Sequence, residues 1–274
     1  MSGIDLHLHT TASDGGFTPR ELVEVAFEKK VTTIAITDHD TVSGIEEALT
    51  HGNKMGVEVI PGIELTTYFK GNRIDILGYY IDPLNKELIK VIDKLQNTRR
   101  TRAEMILKKL SSFDINLKMT DLMEIAGEKG VGRPHIAKLM VEEGYVSDSQ
   151  EAFDNYLKDG GCAYVPKYQL KPSEAIKLIV GAGGVVSLAH PGLIGDNQIV
   201  KEIISFSGLM GIEAFYSKHN RDETDYYRML AQSNDLIVTG GSDCHGPDKN
   251  KEIFLGTVDI PEYVLERLKK LALD

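Results

Sequence analysis

The chain has 274 residues, which at roughly 150 residues per domain is about 1.8 domains: one large domain, or one that carries an insertion. Lysine and arginine number 31 against 41 aspartate and glutamate, a formal net charge of −10, with 42% hydrophobic and 26% charged residues. That composition excludes a disordered chain, and its sign excludes broad electrostatic wrapping of nucleic acid. It leaves room for a phosphate group held locally by a few cations or metals. No apolar run approaches the ~18 residues that span a bilayer, and the opening MSGIDLHLHT places histidines where a signal peptide carries an apolar stretch. Two cysteines, Cys162 and Cys244, have no CxxC spacing, so the expected compartment is a reducing cytoplasm.

In chain order, short β-like runs alternate with helical ones, the signature of βα units. The first strand is expected over residues 4–9. A helix begins near Thr18 with Pro19 at its first position, and TIAIT over 33–37 reads as a buried strand. A helix follows over 43–55, then a strand over 57–68 interrupted by Pro61 and Gly62, then a strand over 74–80. The rhythm breaks from 85 to about 112, a long helical pattern with Arg99, Arg100 and Arg102 in its middle, read as a solvated face or a contact for a nucleic-acid backbone. Helical pieces continue over 120–127, 133–143 and 149–157. The βα rhythm then resumes: helix 172–181, strand 184–190, helix 196–207, strand 211–216, helix 222–233 and strand 236–240. The expected fold is therefore α/β, a distorted (βα)7 barrel formed by residues 1–98 and 165–274. A small all-helical insertion, 99–164, is expected to cap the active site.

The unusual polar residues fall at the carboxyl ends of the proposed strands. His7 and His9 close the first, and residues two apart in an extended segment share a face, so both imidazoles can reach one ion. Asp14 follows in TASDGG, where Gly15 and Gly16 permit close approach of the backbone. Asp38, His39 and Asp40 end the second strand, Glu64 lies on the third, His190 ends the fifth, and Asp243, Cys244 and His245 follow the seventh. One histidine at a strand end is commonly a hydrogen-bonded structural residue, but five strand ends that each deliver His, Asp or Glu make chance placement a poor account. Such a cluster is costly to bury unless paired or metal-bound. Mixed imidazole and carboxylate ligands without thiolates suit manganese, iron or zinc.

The segments DLHLHTTASDGGFTP, AITDHDTVSG, VIPGIELTT, DILGYYID, GRPHIA, SLAHPG and GGSDCHG, in that order, resemble the polymerase and histidinol phosphatase (PHP) family. The resemblance is closest to its stand-alone branch with a helical insertion, whose members hydrolyse phosphate esters of nucleotides and short oligoribonucleotides. It implies two to three divalent ions, manganese foremost: His7, His9, Glu64 and Asp243 around one, Asp14, His39 and His245 around a second, Glu64 and His190 around a third, with Glu64 bridging. Asp75 stands where the family's VHILG motif carries the third ion's histidine. The resemblance makes Arg133 and His135 of GRPHIA the first candidates to hold phosphate; Lys167 of YVPK, where the insertion rejoins the barrel, is a second, and His219 of FYSKH, after the sixth strand, is a candidate proton donor or phosphate ligand. The expected substrate is a 3′,5′-nucleoside bisphosphate or a short RNA trimmed from its 5′ end, with no membrane and no obligate protein partner. Two alternatives share these motifs: a histidinol-phosphate phosphatase, which the helical insertion disfavours, and a binding module that has lost catalysis. The chain has no GxxxxGK[ST] and no GxSxG, and Cys244 reads as a structural thiol.

Overall fold

Seven strands join in sequence order into one sheet: β1 (Ile4–Leu8), β2 (Thr33–Ile36), β3 (Glu58–Phe69), β4 (Asn72–Tyr79), β5 (Val185–Leu188), β6 (Gly211–Tyr216) and β7 (Ile237–Gly241). The computed structural model describes residues 3–126, 131–166, 169–247 and 251–273, apart from the side chains of 98 and 99. The sheet curls until β1 meets the segment after β7. Leu8 pairs in parallel with Cys244, the His9 N–H donates to the Cys244 carbonyl (3.1 Å), and the Asp243 N–H donates to that of His7 (2.9 Å). β1, β2, β5 and β7 are buried along their whole length, as strands covered on both faces must be.

The distortion has a local cause. β3 continues through Pro61 and Gly62 without the expected interruption, Pro61 sitting opposite Ile36, and turns directly into β4 with no helix between. Lys70 and Gly71 both have positive φ, 50° and 83°, so two residues close the hairpin between the paired Phe69 and Asn72. β4 is consequently antiparallel to β3 and to β5, whereas the other neighbours run parallel. Its beginning, not its end, lies where the parallel strands finish. That is why Asp75, opposite Thr66, shares an end of the barrel with Glu64.

The connecting helices are α1 (Pro19–Glu28), α2 (Ile45–Met55), α7 (Pro172–Gly181), α8 (Asn197–Ile204) and α9 (Arg221–Ser233). α1 starts as its sequence suggests: Thr18 and Glu21 form a reciprocal capping box with Pro19 in the first turn. A last helix, α10 (Glu262–Leu273), lies beyond the elements read from the sequence and buries Val264, Leu265 and Leu268 against Ile4, Leu6 and Ile237.

The chain divides into two compact units, one of residues up to Lys90 and from Gln169 onward, the other Val91–Tyr168. The division falls inside α3 (Lys86–Ser111), because no residue there breaks the helix. The second unit adds α4 (Met119–Ala126), α5 (Arg133–Glu142) and α6 (Ser149–Ala152), which ends in a π turn over Phe153–Leu157 where one α-helix was expected. It has its own core, including Ile106, Leu110, Leu122, Ile136, Met140 and Leu157. Among the described residues, no helix is long and apolar enough to cross a membrane.

Candidate metal centre

Alternation along β1 and just past it puts Asp5, His7 and His9 on one face, all fully buried. Glu64, also fully buried, stands among four imidazoles: its Oε2 is 3.2 Å from His7 Nε2, 3.3 Å from His9 Nε2 and 3.1 Å from His39 Nδ1, and its Oε1 is 2.9 Å from His190 Nε2. Asp243 Oδ1 lies 3.1 Å from His9 Nε2 and 3.5 Å from His7 Nε2, while Asp14 Oδ1 lies 3.4 Å from His245 Nε2 and 3.7 Å from His9 Nδ1. The structure thus gathers His9, Asp14, His39 and His245; His7, His9, Glu64 and Asp243; and Glu64, Asp75 and His190 into three groups. Within each, ligand-capable atoms lie within 4.8 Å of one another.

Close backbone approach makes this density feasible. A Cβ on Gly241 would collide with the backbone of His7, and one on Gly15 with the carbonyl of His9. Asp40, His190 and Asp243 themselves adopt positive φ (51°, 23° and 55°), a strain that persists at functional sites where the surroundings fix it.

Burial alone would keep these groups neutral, yet at His7, His9 and Glu64 their mutual charges prevail. Burial opposes a charged His9, but Asp243 and Glu64 lift it to about 9; burial likewise opposes a charged His7, which Glu213, Glu64 and Asp243 hold well above the ordinary imidazole value. Glu64 stays well below the usual carboxylate range against its own burial, because His7, His190 and His9 surround it. His39 goes the other way, to about 4, as burial prevails over the pull of Glu64. The carboxylates thus draw positive charge, and protonated imidazoles supply it in an ion-free protein. Both ring nitrogens of His9 and Nδ1 of His39 are buried without a well-formed hydrogen bond. Buried donors and acceptors left so, facing carboxylate oxygens at 3.1–3.7 Å, fit divalent cations better than a hydrogen-bonded core.

Several residues that sequence reasoning passed over complete the centre. Glu213, in the middle of β6 and fully buried, accepts from His7 Nδ1 (3.0 Å) and from the His190 N–H (2.7 Å), fixing one ring and one backbone corner. The Tyr216 hydroxyl donates to Asp243 Oδ2 (2.8 Å). Asp5 accepts from the Ser242 and Gly256 N–H groups at 2.9 and 2.8 Å, holding the segment after β7. Arg73 Nε lies 2.8 Å from Asp75 Oδ2, with Nη2 3.2 Å from His39 Nε2. Only a lone carboxylate within GIEAFY, an apolar strand, signals Glu213 in the sequence. Asp38, next to His39 in the chain, accepts from Thr10 N and Oγ1, both at 2.7 Å, and from Ser13, and so holds the loop that carries Asp14.

The other sequence candidates are not among the members of these groups. Arg133 and His135 begin α5 in the helical unit. Arg133 Nη1 donates to the Leu157 carbonyl (2.9 Å) and to Asp159, with its guanidinium over Phe153 and Tyr164, while His135 Nδ1 accepts from the Gly132 N–H. Lys167 lies outside the described residues. His219 has both nitrogens engaged by backbone: Nδ1 with the Ala214 carbonyl (3.0 Å) and Nε2 with the Gly192 N–H (3.1 Å). Of the basic run, Arg100 pairs with Glu104 and Arg102 donates to the Val165 carbonyl. His51, on α2, is mostly buried against Glu24 (3.2 Å). Burial pushes the Cys244 thiol up, away from a nucleophilic thiolate.

A cavity of about 290 Å3 opens over the groups, lined by Asp14, Asp75, Asp243 and His245 with Arg73 and the apolar Leu193 beside them. The PHP domain family model matches residues 5–241. A 3′,5′-nucleoside bisphosphate phosphatase of Chromobacterium violaceum is 30% identical over 271 residues, 95% of this chain and 93% of that protein. The 5′-3′ exoribonuclease Rnm of Escherichia coli is 33% identical over 249 residues, 89% of this chain and 85% of that one. A candidate metal-dependent phosphoesterase from Bifidobacterium adolescentis superposes with a TM-score of 0.71 at 28% identity, covering 100% of this chain and 97% of that structure.

Proposed function

Since this chain belongs to the PHP domain family, we propose that it is a metal-dependent phosphoesterase whose substrate is a nucleotide: a 3′,5′-nucleoside bisphosphate or the 5′ end of a short oligoribonucleotide. The observation that carries this reading is Glu64, one fully buried carboxylate within 3.3 Å of His7, His9, His39 and His190. Such a residue is suited to bridge two cations. Manganese is the proposed ion, since imidazole and carboxylate ligands without thiolate suit it.

In this reading His7, His9, Glu64 and Asp243 hold one ion, and Asp14, His39 and His245 hold a second. Glu64, Asp75 and His190 form the third group. When bound, such ions lower the pKa of a water and polarise phosphoryl oxygens. The protein's own part is to hold the ligands. Glu213 fixes the tautomer of His7, Tyr216 orients Asp243, and His219 secures the Gly192 turn beside His190. For His219 to donate a proton to a leaving oxygen, its Nε2 must release the Gly192 N–H. Arg133 and His135 are proposed phosphate-binding residues on the resemblance of the GRPHIA segment, and Lys167 on its place in the sequence where the helical insertion ends. Leu193, 56% exposed beside the carboxylates, offers an apolar surface to the nucleoside. The unpaired Cys162 and Cys244 agree with a cytoplasmic setting.

The test is phosphate release from a 3′,5′-nucleoside bisphosphate and from short RNAs, with metal content measured on the same sample. Exhaustive chelation should abolish release and manganese should restore it. Turnover that survives complete removal of metal overturns the reading.

A further inference from the structure

Among the described residues lining the cavity, Arg73 is the only lysine or arginine, and its side chain is 51% exposed. It is the second residue of β4, two before Asp75, so the pleat brings both side chains to one face. Its Nε lies 2.8 Å from Asp75 Oδ2 and 3.0 Å from Oδ1. Oδ2 is also the oxygen that faces His190, 3.9 Å from its Nε2. The oxygen through which Asp75 would join Glu64 and His190 around an ion is therefore engaged by a guanidinium, a group that does not lose its charge in a protein. A dication entering this corner must displace the guanidinium or sit against a like charge.

We propose that Arg73, rather than a third divalent ion, is the cation of the Asp75 corner, and that its exposed edge binds the phosphoryl oxygens of the substrate. This rests on the metal-dependent phosphoesterase reading. A guanidinium is a planar fork: with Nε committed to a carboxylate, further N–H groups remain to donate to phosphate. The pairing also accounts for aspartate at position 75, where the family resemblance expects histidine. A carboxylate receives a guanidinium edge with two oxygens, whereas a neutral imidazole offers one acceptor.

Equilibrium dialysis of the full-length, metal-stripped protein against manganese tests the proposal on wild type, Asp75→Asn and Arg73→Gln. Unfolding midpoints check that each variant folds. Wild type and D75N are both expected to take up two ions, with any third in wild type at least roughly tenfold weaker. R73Q is expected to tighten the third about tenfold or more as a like charge leaves. With manganese held at the level that fills two sites, R73Q should lose roughly 10- to 150-fold in kcat/KM, and Arg73→Lys should recover part of it. A wild type with three equally tight ions, a D75N that loses an ion, an R73Q that still takes up only two, or an R73Q with unchanged kinetics overturns the proposal and leaves the phosphoesterase reading standing. A wild type that binds no ion sinks the phosphoesterase reading itself.

Discussion

Glu213 sits between Ile212 and Ala214 on β6, where the apolar pattern gives no reason for a carboxylate until its partners are seen. Without exposure to water, its charge is tolerated because it accepts from the ring of His7 and the backbone of His190 at once. Replacing it with glutamine keeps an acceptor for the His190 N–H but removes the negative charge that holds the proton on His7 Nδ1. Glu213→Gln should therefore weaken manganese binding by roughly 10- to 100-fold, the usual cost of disturbing a group that orients a metal ligand. Titration of manganese into metal-free protein reads this directly, and an unchanged affinity would reduce Glu213 to a backbone clamp. Glu213 also marks where the sequence stops being legible. His7, His9, His39 and His245 stand out because histidine and aspartate crowd the ends of apolar strands. A carboxylate buried in mid-strand, or an arginine such as Arg73 whose partner depends on strand direction, shows its role only once the strands are placed.

The β3–β4 hairpin decides the second of those cases. A fourth strand parallel to its neighbours would put Asp75 near its amino end, far from Glu64; the antiparallel turn at Lys70 and Gly71 sets it opposite Thr66 instead. The turn escapes notice because Lys-Gly is a weaker hairpin signal than Asn-Gly, although both residues take positive φ. Gly71 has open space where a Cβ would sit, so the cost of Gly71→Ala is conformational alone, about 1 kcal/mol. Urea unfolding should show that loss, and a neutral G71A would mean that the turn does not constrain β4. The helical unit offers a parallel case in Arg133. Its guanidinium is bonded to the Leu157 carbonyl and Asp159 and lies over two aromatic rings. If Arg133 also binds phosphate, R133A lowers kcat/KM by roughly 10- to 150-fold with metal content unchanged. A loss confined to stability would assign it to packing within the helical unit. The barrel strands and their helices were legible because their periods are regular. The inner boundary of the helical unit was not, since α3 runs through it without a breaking residue.

At the scale of the molecule, the net charge of −10 acquires a physical consequence. All three candidate ligand groups belong to the barrel unit, and none of their residues lies in Val91–Tyr168. In the ion-free protein the buried Glu64, Asp75 and Glu213 depend on protonated imidazoles and on Arg73 for compensation, an arrangement that burial opposes throughout. Ions that bind the folded barrel and not the unfolded chain stabilise it by mass action, about 2.7 kcal/mol for each independent site at a concentration one hundred times its dissociation constant. For a unit of this size, each kcal/mol raises the melting temperature by roughly 2–4 °C, so one saturated site should add about 5–10 °C and a second site more. The helical unit has a separate apolar core and no part in the ligand groups, so its intrinsic stability should not respond to the metal. Calorimetry in chelator and in manganese distinguishes these outcomes. The transition of the barrel should move up with manganese, while any separately resolved transition of the helical unit stays in place. A barrel that melts at the same temperature in both conditions would mean that the clustered carboxylates and imidazoles are satisfied without cations, against the reading of the centre as a metal site.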